Sequence, residues 1–374
     1  MALRAIASVN LAAVERNVVR LRRHAAPAGL CAVVKADGYG HGAVQVARAA
    51  LSAGASWLAV ATAGEGAELR AAGIGAPLLV MGALSDEELP VAVRAGADVV
   101  AWSERFVDAA AALAREGEAV RIHVKLDTGM GRLGTRNSEQ ALAVARHVRR
   151  SVPATVLVGA MTHFATADED PEFMAAQLAA FGDFAAELRV LQPELVLHAA
   201  NSAATLREGA AHLSMVRCGI AIYGCDPMNC DPFTHDLEPA LELTSYLAAV
   251  KPALPGQSAG YGRTFVAQQP TWLGTAPIGY ADGIRRALSN NCDVLIGGRR
   301  CPLVGNISMD NITVDLGPEP EVVVGQPVTI IGGERNERIT AEELAGRIDT
   351  INYEIVCGIS GRVPRRYHRD GEPA

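Results

Sequence analysis

No C-x-x-C pair occurs in the chain, and its seven cysteines, an odd number scattered from Cys31 to Cys357, show no zinc-like spacing to histidine. A disulfide-stapled scaffold and a zinc ribbon are therefore excluded, and reduced thiols in a cytosol fit the pattern. No stretch approaches the run of about 18 apolar residues that a membrane helix needs. The opening MALRAIASVNLAAVERNVVRLRR puts Asn10, Glu15, Arg16 and Asn17 inside what would have to be the apolar core of an export signal, so cytoplasmic localisation is expected. Excess positive charge is absent too. Against 34 Lys and Arg stand 41 Asp and Glu, a net charge of −7, so neither a phosphate backbone nor an anionic membrane is an expected partner. There is also no Walker loop, no G-x-G-x-x-G fingerprint after the first strand-like run and no cluster of metal ligands, so no metal is expected.

What is present is the composition of a large globular protein: 374 residues, 49% apolar and 20% charged, with a length that suits about two domains. Eight short strand-like runs alternate with Ala-rich segments of helical period through the first two thirds: LCAVVKA (30–36), WLAVA (57–61), PLLVMG (77–82), DVVAW (98–102), VRIHVKLD (120–127), TVLVGAMTH (155–163), LVLHAAN (195–201) and LSMVRCG (213–219). Helix candidates between them include AVQVARAALSAG, SERFVDAAAALAREG and EQALAVARHVRR, several closed by Gly. Eight strand-helix repeats in this length are the sequence form of an α/β fold of the TIM-like (β/α)8 barrel type. A doubly wound open sheet is the alternative, but it usually has fewer strands. After residue 238 the helical period gives way to strands: ELTSYLAAV, TWLGTAP, DVLIGGRRCPLVG with a hairpin-like Gly297-Gly298, NITVDL and VVVGQPVTIIG. One late helix is expected over Thr340 to Ile348, where Thr340 and Glu343 have capping-box spacing. The expected division is a barrel over 1–238, its first ten or so residues pairing with the second domain, and a smaller, mostly β domain over 239–374.

In a barrel, chemistry gathers at the carboxyl ends of the strands. Those ends carry Lys35, then Lys125, Asp127 and Arg132, then His163, then Asn201 and Ser202, then Arg217. An ammonium at the end of the apolar run before Lys35 must be solvated, paired or depressed in pKa, so Lys35 is either a functional amine or a rim lysine reaching for water. The loops after the seventh and eighth runs read NSAATL and RCGIAIYG, where barrels often bind phosphate. Ser202 either donates its hydroxyl to an anion or merely caps a helix, and Gly219 permits close approach of backbone N–H groups. Arg217 is either a site residue or half of a rim ion pair. A lysine opposite a phosphate cradle points to pyridoxal 5′-phosphate, whose aldehyde forms a Schiff base with a lysine amine.

Nine segments in order, AVVKADGYGHG (32–42), VKLDTGMGRLG (124–134), MTHFATAD (161–168), HAANSAAT (198–205), VRCGIAIYG (216–224), SAGYGRTF (258–265), GYADGIRR (279–286), SMDNITVDL (308–316) and RVPRRY (362–367), resemble the alanine racemase family of fold-type III pyridoxal-phosphate enzymes essentially end to end. Gly38 departs from the Ala usual there. Asn306 stands where Arg is usual, which bears on the substrate's way in.

The resemblance implies interconversion of L- and D-alanine by two bases, with D-alanine supplied for peptidoglycan. One base is Lys35. The other is Tyr261, contributed by the partner subunit of a head-to-tail homodimer with shared active sites. It further implies that His163 contacts that tyrosine and links to Arg217, and that Arg217 faces the cofactor's ring nitrogen as a hydrogen-bond donor. Tyr39, Ser202, Gly219, Ile220 and Tyr353 would hold the phosphate, with Asn201 also at the cofactor. Arg132 would lie at the cofactor's phenolic oxygen and the substrate carboxylate, with Met309 beside it, and Tyr280 and Asp310 would line the entrance corridor. Lys125 is either carbamylated, so fixing Arg132, or an ordinary lysine paired with an acid. Asp37 and His41 are assigned supporting roles, and His123 and His198 are expected to be satisfied core histidines. Three other readings remain open: a racemase acting on serine, lysine or a broad range of amino acids, a non-catalytic barrel that carries the cofactor, and a decarboxylase. The second domain with its tyrosine argues against the carrier. Arg217 argues against the decarboxylase, which normally pairs the ring nitrogen with an acid.

Overall fold

A computed structural model describes residues 3–374. Its compact units are two: one made of Glu15–Gly38 and Ala43–Ile222, the other of the N-terminal residues up to Val14, Tyr39–Gly42 and Tyr223–Ala374. In chain order the strands of the first unit follow β1 (Ile6–Asn10), which belongs to the second. They are β2 (Gly29–Val33), β3 (Trp57–Val60), β4 (Leu78–Val80), β5 (Asp98–Ala101), β6 (Val120–Lys125), β7 (Thr155–Met161), β8 (Val196–His198) and β9 (Met215–Cys218). All eight sequence runs form strands, hydrogen-bonded in the parallel order β8-β7-β6-β5-β4-β3-β2-β9. The ring closes where Ser214 N–H donates to Leu197 O (3.0 Å) and Arg217 N–H to Ala200 O (2.9 Å).

Helices cover this barrel because their apolar residues recur at helical spacing. In Ala43–Ser52 the buried set is Ala43, Val46, Ala47, Ala49 and Ala50. Helix starts are set by side chains: Thr62 and Glu65 form a capping box, and Ser103 accepts from the Phe106 N–H. Strands such as Asp98–Ala101 are buried along their whole length, as parallel strands covered by helices must be.

The second unit is mostly β. Its remaining strands are β10 (Leu241–Tyr246), β11 (Ala249–Ala253), β12 (Ser258–Ala259), β13 (Phe265–Val266), β14 (Thr271–Ala276), β15 (Asp293–Ile296), β16 (Arg299–Pro302), β17 (Ile312–Gly317), β18 (Pro327–Glu334), β19 (Glu337–Ile339), β20 (Arg365–Arg369) and β21 (Glu372–Pro373). They form one large sheet ordered β16-β15-β18-β10-β1-β20-β21 with β19 on β18, a three-stranded sheet β11-β14-β17, and the two-stranded ribbon β12-β13. β1 pairs antiparallel with β10 and parallel with β20. Gly297 and Gly298, at φ of 64° and 79°, turn β15 into β16, since a tight hairpin of this kind needs two left-handed residues.

The structure amends the sequence pattern at four points. ELTSYLAAV is two strands in different sheets, broken at Leu247, whose N–H donates to Gln326 O. VVVGQPVTIIG becomes a strand only from Pro327, with Val323 and Val324 exposed before it. The late helix is Ala341–Gly346; Thr340 caps the Glu343 N–H, but the Glu343 carboxylate pairs with Arg300 instead of completing a capping box. Residues 223–238 lie with the β-rich unit, tied to it by Asp226 N–H to Glu342 (2.9 Å) and Asn352 to Asp226 O (2.7 Å).

Candidate active site

Lys35 stands two residues past β2, where the chain enters a left-handed turn. Ala36 (φ 53°), Asp37 (φ 51°) and Tyr39 (φ 51°) all adopt it. Each such residue costs about 1–2 kcal/mol, so the turn persists only because its surroundings fix it. Glu65 accepts the Ala36 N–H at 2.6 Å, the Gly38 N–H returns to Val34 O at 3.0 Å, and Asp37 accepts the Ala43 N–H at 2.9 Å. The sequence assigned Asp37 a supporting role, and here it anchors the start of helix Ala43–Ser52.

Arg217 on β9 is buried. Its Nη1 faces His198 Nδ1 at 2.9 Å, and its Nη2 faces Thr162 O (2.8 Å), Ala199 O (3.0 Å) and His163 Nδ1 (3.3 Å). None of these is a carboxylate, so the rim ion pair does not form. Its Nε is buried without a partner among the described residues. Burial pushes the guanidinium down to about 10, which leaves it protonated near neutrality. His163 is held well below the ordinary histidine value by burial first, then by Arg217, Arg132, Lys125 and Lys35. Neutral, with Nδ1 facing a donor, it carries its proton on Nε2.

Lys125, at the end of β6, is lowered to about 8 by burial, then by Arg217 and Arg132, with Asp127 opposing. It pairs with no acid among the described residues. Burial works to raise the Asp127 carboxyl, but the Gly131 and Gly129 N–H groups and Arg136 outweigh it and hold it low. Arg132 is exposed.

The helix Ser202–Arg207 is capped by Asn201, whose side chain accepts the Ala204 N–H, and not by Ser202. The Ser202 hydroxyl instead accepts the Gly219 N–H (3.0 Å) and the Ala221 N–H (3.4 Å), beside buried Ile220.

In the β-rich unit, Tyr39 packs against Tyr223 (ring centroids 5.0 Å) and Tyr353 (6.0 Å), and His41 Nδ1 lies 2.9 Å from Tyr39 O. Tyr261 tips the β12-β13 ribbon with 75% of its surface exposed, its carbonyl held by Asn306 Nδ2 at 2.8 Å. Met309 and Tyr280 are exposed as well, and Asp310 pairs with Arg362 at 2.7 Å.

Sequence reading missed Asp98, Thr162 and the part played by His123 and His198. The two histidines are indeed buried and satisfied, yet they lead through hydrogen bonds to Arg217. No local spacing announces that residues on three strands meet inside a barrel.

A closed parallel barrel with lysines, arginines and a neutral histidine at its strand ends, joined in one chain to a β-rich unit, is the architecture of a two-domain barrel enzyme. Residues 9–227 match the family described as alanine racemase, N-terminal domain, and residues 240–367 match alanine racemase, C-terminal domain. The alanine racemase of Symbiobacterium thermophilum is 43% identical over 373 residues, covering 96% of each chain, and alanine racemase 1 of Bacillus subtilis is 40% identical, covering 98% of this chain and 93% of its own. The crystal structure of alanine racemase from Bacillus anthracis with bound L-Ala-P is similar at a TM-score of 0.92 and 37% identity, covering 100% of this chain and 97% of that one. That from E. faecalis gives 0.91 and 36%, covering 98% of each. The chain belongs to the alanine racemase family.

Proposed function

We propose that this protein is a pyridoxal-phosphate-dependent racemase interconverting L- and D-alanine, supplying D-alanine for peptidoglycan. The observation that carries the reading is Arg217: a buried guanidinium whose Nε is unspent, a donor fitted to a ring nitrogen that it cannot protonate. The Ser202 hydroxyl, whose oxygen accepts the Gly219 and Ala221 N–H groups, keeps its own proton to donate to a phosphate. When bound, pyridoxal phosphate supplies the conjugated ring that makes an amino acid's α-hydrogen acidic.

Lys35 would hold that group through Nζ and would exchange the α-proton on one face. Within the barrel unit, Ser202, Gly219 and Ile220 would hold the phosphate, and Asn201 stiffens the start of the helix that carries Ser202. Arg217 only donates, which keeps the ring a weak electron sink and favours simple proton exchange over side reactions. Arg132 would orient the substrate carboxylate.

The second proton donor and acceptor is the phenol of Tyr261 from a partner subunit in a head-to-tail homodimer. A phenol is a weak acid, and losing its proton at neutral pH needs help. Proton placement on His163 gives that help, because Nε2–H donated to the phenolate favours its charged form. A lysine lowered to about 8 keeps a share of neutral amine, the form that reacts with carbon dioxide, so Lys125 is assigned as carbamylated, its negative charge serving Arg132.

Purified protein loaded with pyridoxal phosphate and given L-alanine, L-serine or L-lysine separately tests the reading. Alanine is expected to run to an equal mixture of its mirror images, far faster than the others. Absence of D-alanine, or faster turnover of serine or lysine, overturns it. Among the described residues no helix is long and apolar enough to cross a membrane.

A further inference from the structure

A line of polar side chains crosses the interior of the barrel from the first residue of β5 to Arg217. Asp98 Oδ1 accepts from Arg121 Nε at 2.7 Å, and Asp98 Oδ2 lies 3.1 Å from His123 Nε2. His123 Nδ1 lies 2.9 Å from His198 Nε2, and His198 Nδ1 lies 2.9 Å from Arg217 Nη1. Asp98, His123, His198 and Arg217 are all buried, while Arg121 is half-exposed.

The fold makes room for this line. The β6-β7 register shifts between Ile122 and His123, so that His123 faces Gly159. A Cβ at position 159 would sit 2.7 Å from His123 Nδ1. Trp57 meets the His123 ring edge-on, with centroids 5.8 Å apart.

Donor and acceptor rules then leave one arrangement of protons. Arg217 can only donate, so His198 Nδ1 accepts and His198 carries its proton on Nε2. That proton points at His123 Nδ1, which must accept, so His123 also carries its proton on Nε2 and donates it to Asp98. The carboxylate is the only member of the line that can end it, because it alone accepts from both sides.

We propose that Asp98 is a positioning residue for Arg217: as the terminal acceptor it fixes the tautomers of His123 and His198, and that proton order holds the guanidinium with Nε directed at the cofactor's ring nitrogen. The last step rests on the function proposed above; the tautomer order does not. Without the acceptor, the His123 Nε2 proton is buried unpaired. Moving it to Nδ1 sets it against the His198 proton, and moving that one in turn sets it against Arg217.

Full-length protein labelled with 15N at histidine provides the test, read by long-range proton-nitrogen correlation and by turnover of the loaded enzyme. In the native protein His123 and His198 are both expected as Nε2–H tautomers. Asp98→Ala is expected to break that pattern and to lower kcat about 10- to 100-fold, the scale seen for residues that orient a site from behind. The double variant Asp98→Asn with Arg121→Ala is expected to restore both, since its amide oxygen no longer has to serve Arg121 and turns to His123. Rescue by deleting a second native partner is not what a merely structural aspartate would show. If Asp98→Ala does not fold, Asp98→Asn with Arg121 retained replaces it, because two donors then compete for one oxygen.

Unchanged tautomers in these single variants overturn the proposal, as does a broken pattern with kcat unaltered. A native protein with the expected tautomers but no racemase activity counts instead against the proposed function.

Discussion

The two units treat their candidate residues in opposite ways. In the barrel, Arg217, Lys125 and Ser202 are buried, and Arg217 and Ser202 are tied by hydrogen bonds whose donors and acceptors can be followed atom by atom. In the β-rich unit, Tyr261, Met309 and Tyr280 stand exposed, and what is fixed is the backbone beneath Tyr261, through Asn306. A buried cation must be oriented by its own fold, because nothing else can solvate it. An exposed phenol needs only a firm base if its chemistry is completed by another molecule. The contrast teaches that the barrel prepares an electrostatic environment inside its own fold, whereas the second unit leaves its candidate groups at the surface.

The largest expected effect tests the barrel side. Lys35→Ala should lower racemisation by about 10⁴-fold or more, because under the proposed function it removes both the covalent attachment and one proton-transfer group. Borohydride reduction followed by peptide mass spectrometry should then find no cofactor attached; attachment at an unaltered level breaks the assignment. Tyr261→Phe, on the other side, should cost about 10²- to 10³-fold. Mirror images have an equilibrium constant of one, so kcat/KM must fall equally in both directions. The telling measurement is the α-deuterium isotope effect, which should rise for one enantiomer only. An equal rise for both would deny Tyr261 a face of its own.

Mixing the two inactive variants asks whether the exposed phenol serves a partner. Random exchange of subunits should return about a quarter of wild-type activity, since half the dimers carry one intact site of two. No recovery despite exchange shown by mass spectrometry would dissolve the contrast between the units.

Lys125→Met sharpens the barrel side through pH. A lysine whose folded pKa is about 8, against 10.5 when unperturbed, holds fewer protons in the native than in the unfolded state between those values. Stability therefore rises with pH across that window, and the cost of the buried charge is fully present below it. In buffers free of carbon dioxide, the native protein should gain about 3 kcal/mol relative to the methionine variant from pH 7.5 to 10.5 in denaturant titrations. A flat difference would place the lysine charge in water.

The smallest effect concerns the base beneath the phenol. Asn306→Ala removes one hydrogen bond, worth about 1 kcal/mol. Amide exchange at residues 260–263 should quicken about five-fold, and unaltered exchange would show that the ribbon holds itself.

Legibility in the sequence followed the same contrast. The eight barrel strands could be read because buried parallel strands are short apolar runs between helical periods. The β-rich unit was read less well: the ribbon β12-β13 is two residues on each side, and β20 is mostly charged, so neither has an apolar signature. Lys35, Arg132, His163 and Arg217 stood out as polar residues at the ends of apolar runs. His123, inside such a run, read as core, and Asp98, at the head of DVVAW, drew no reading, because period alone cannot distinguish a buried polar side chain that is satisfied from one that leads somewhere.

Sequence by itself determined the strand and helix order, the closed barrel that follows from eight repeats, and the family, since these depend on local periodicity and on motifs in register along the chain. Tertiary structure alone decided which atoms meet: that Asn201 and not Ser202 caps its helix, that Glu343 turns to Arg300, and that Asp98, His123, His198 and Arg217 form one line. The physical reason is that hydrogen bonds between strands depend on shear, register and a bulge at Ile122–His123. These are properties of the folded sheet, and no neighbouring pair of residues encodes them.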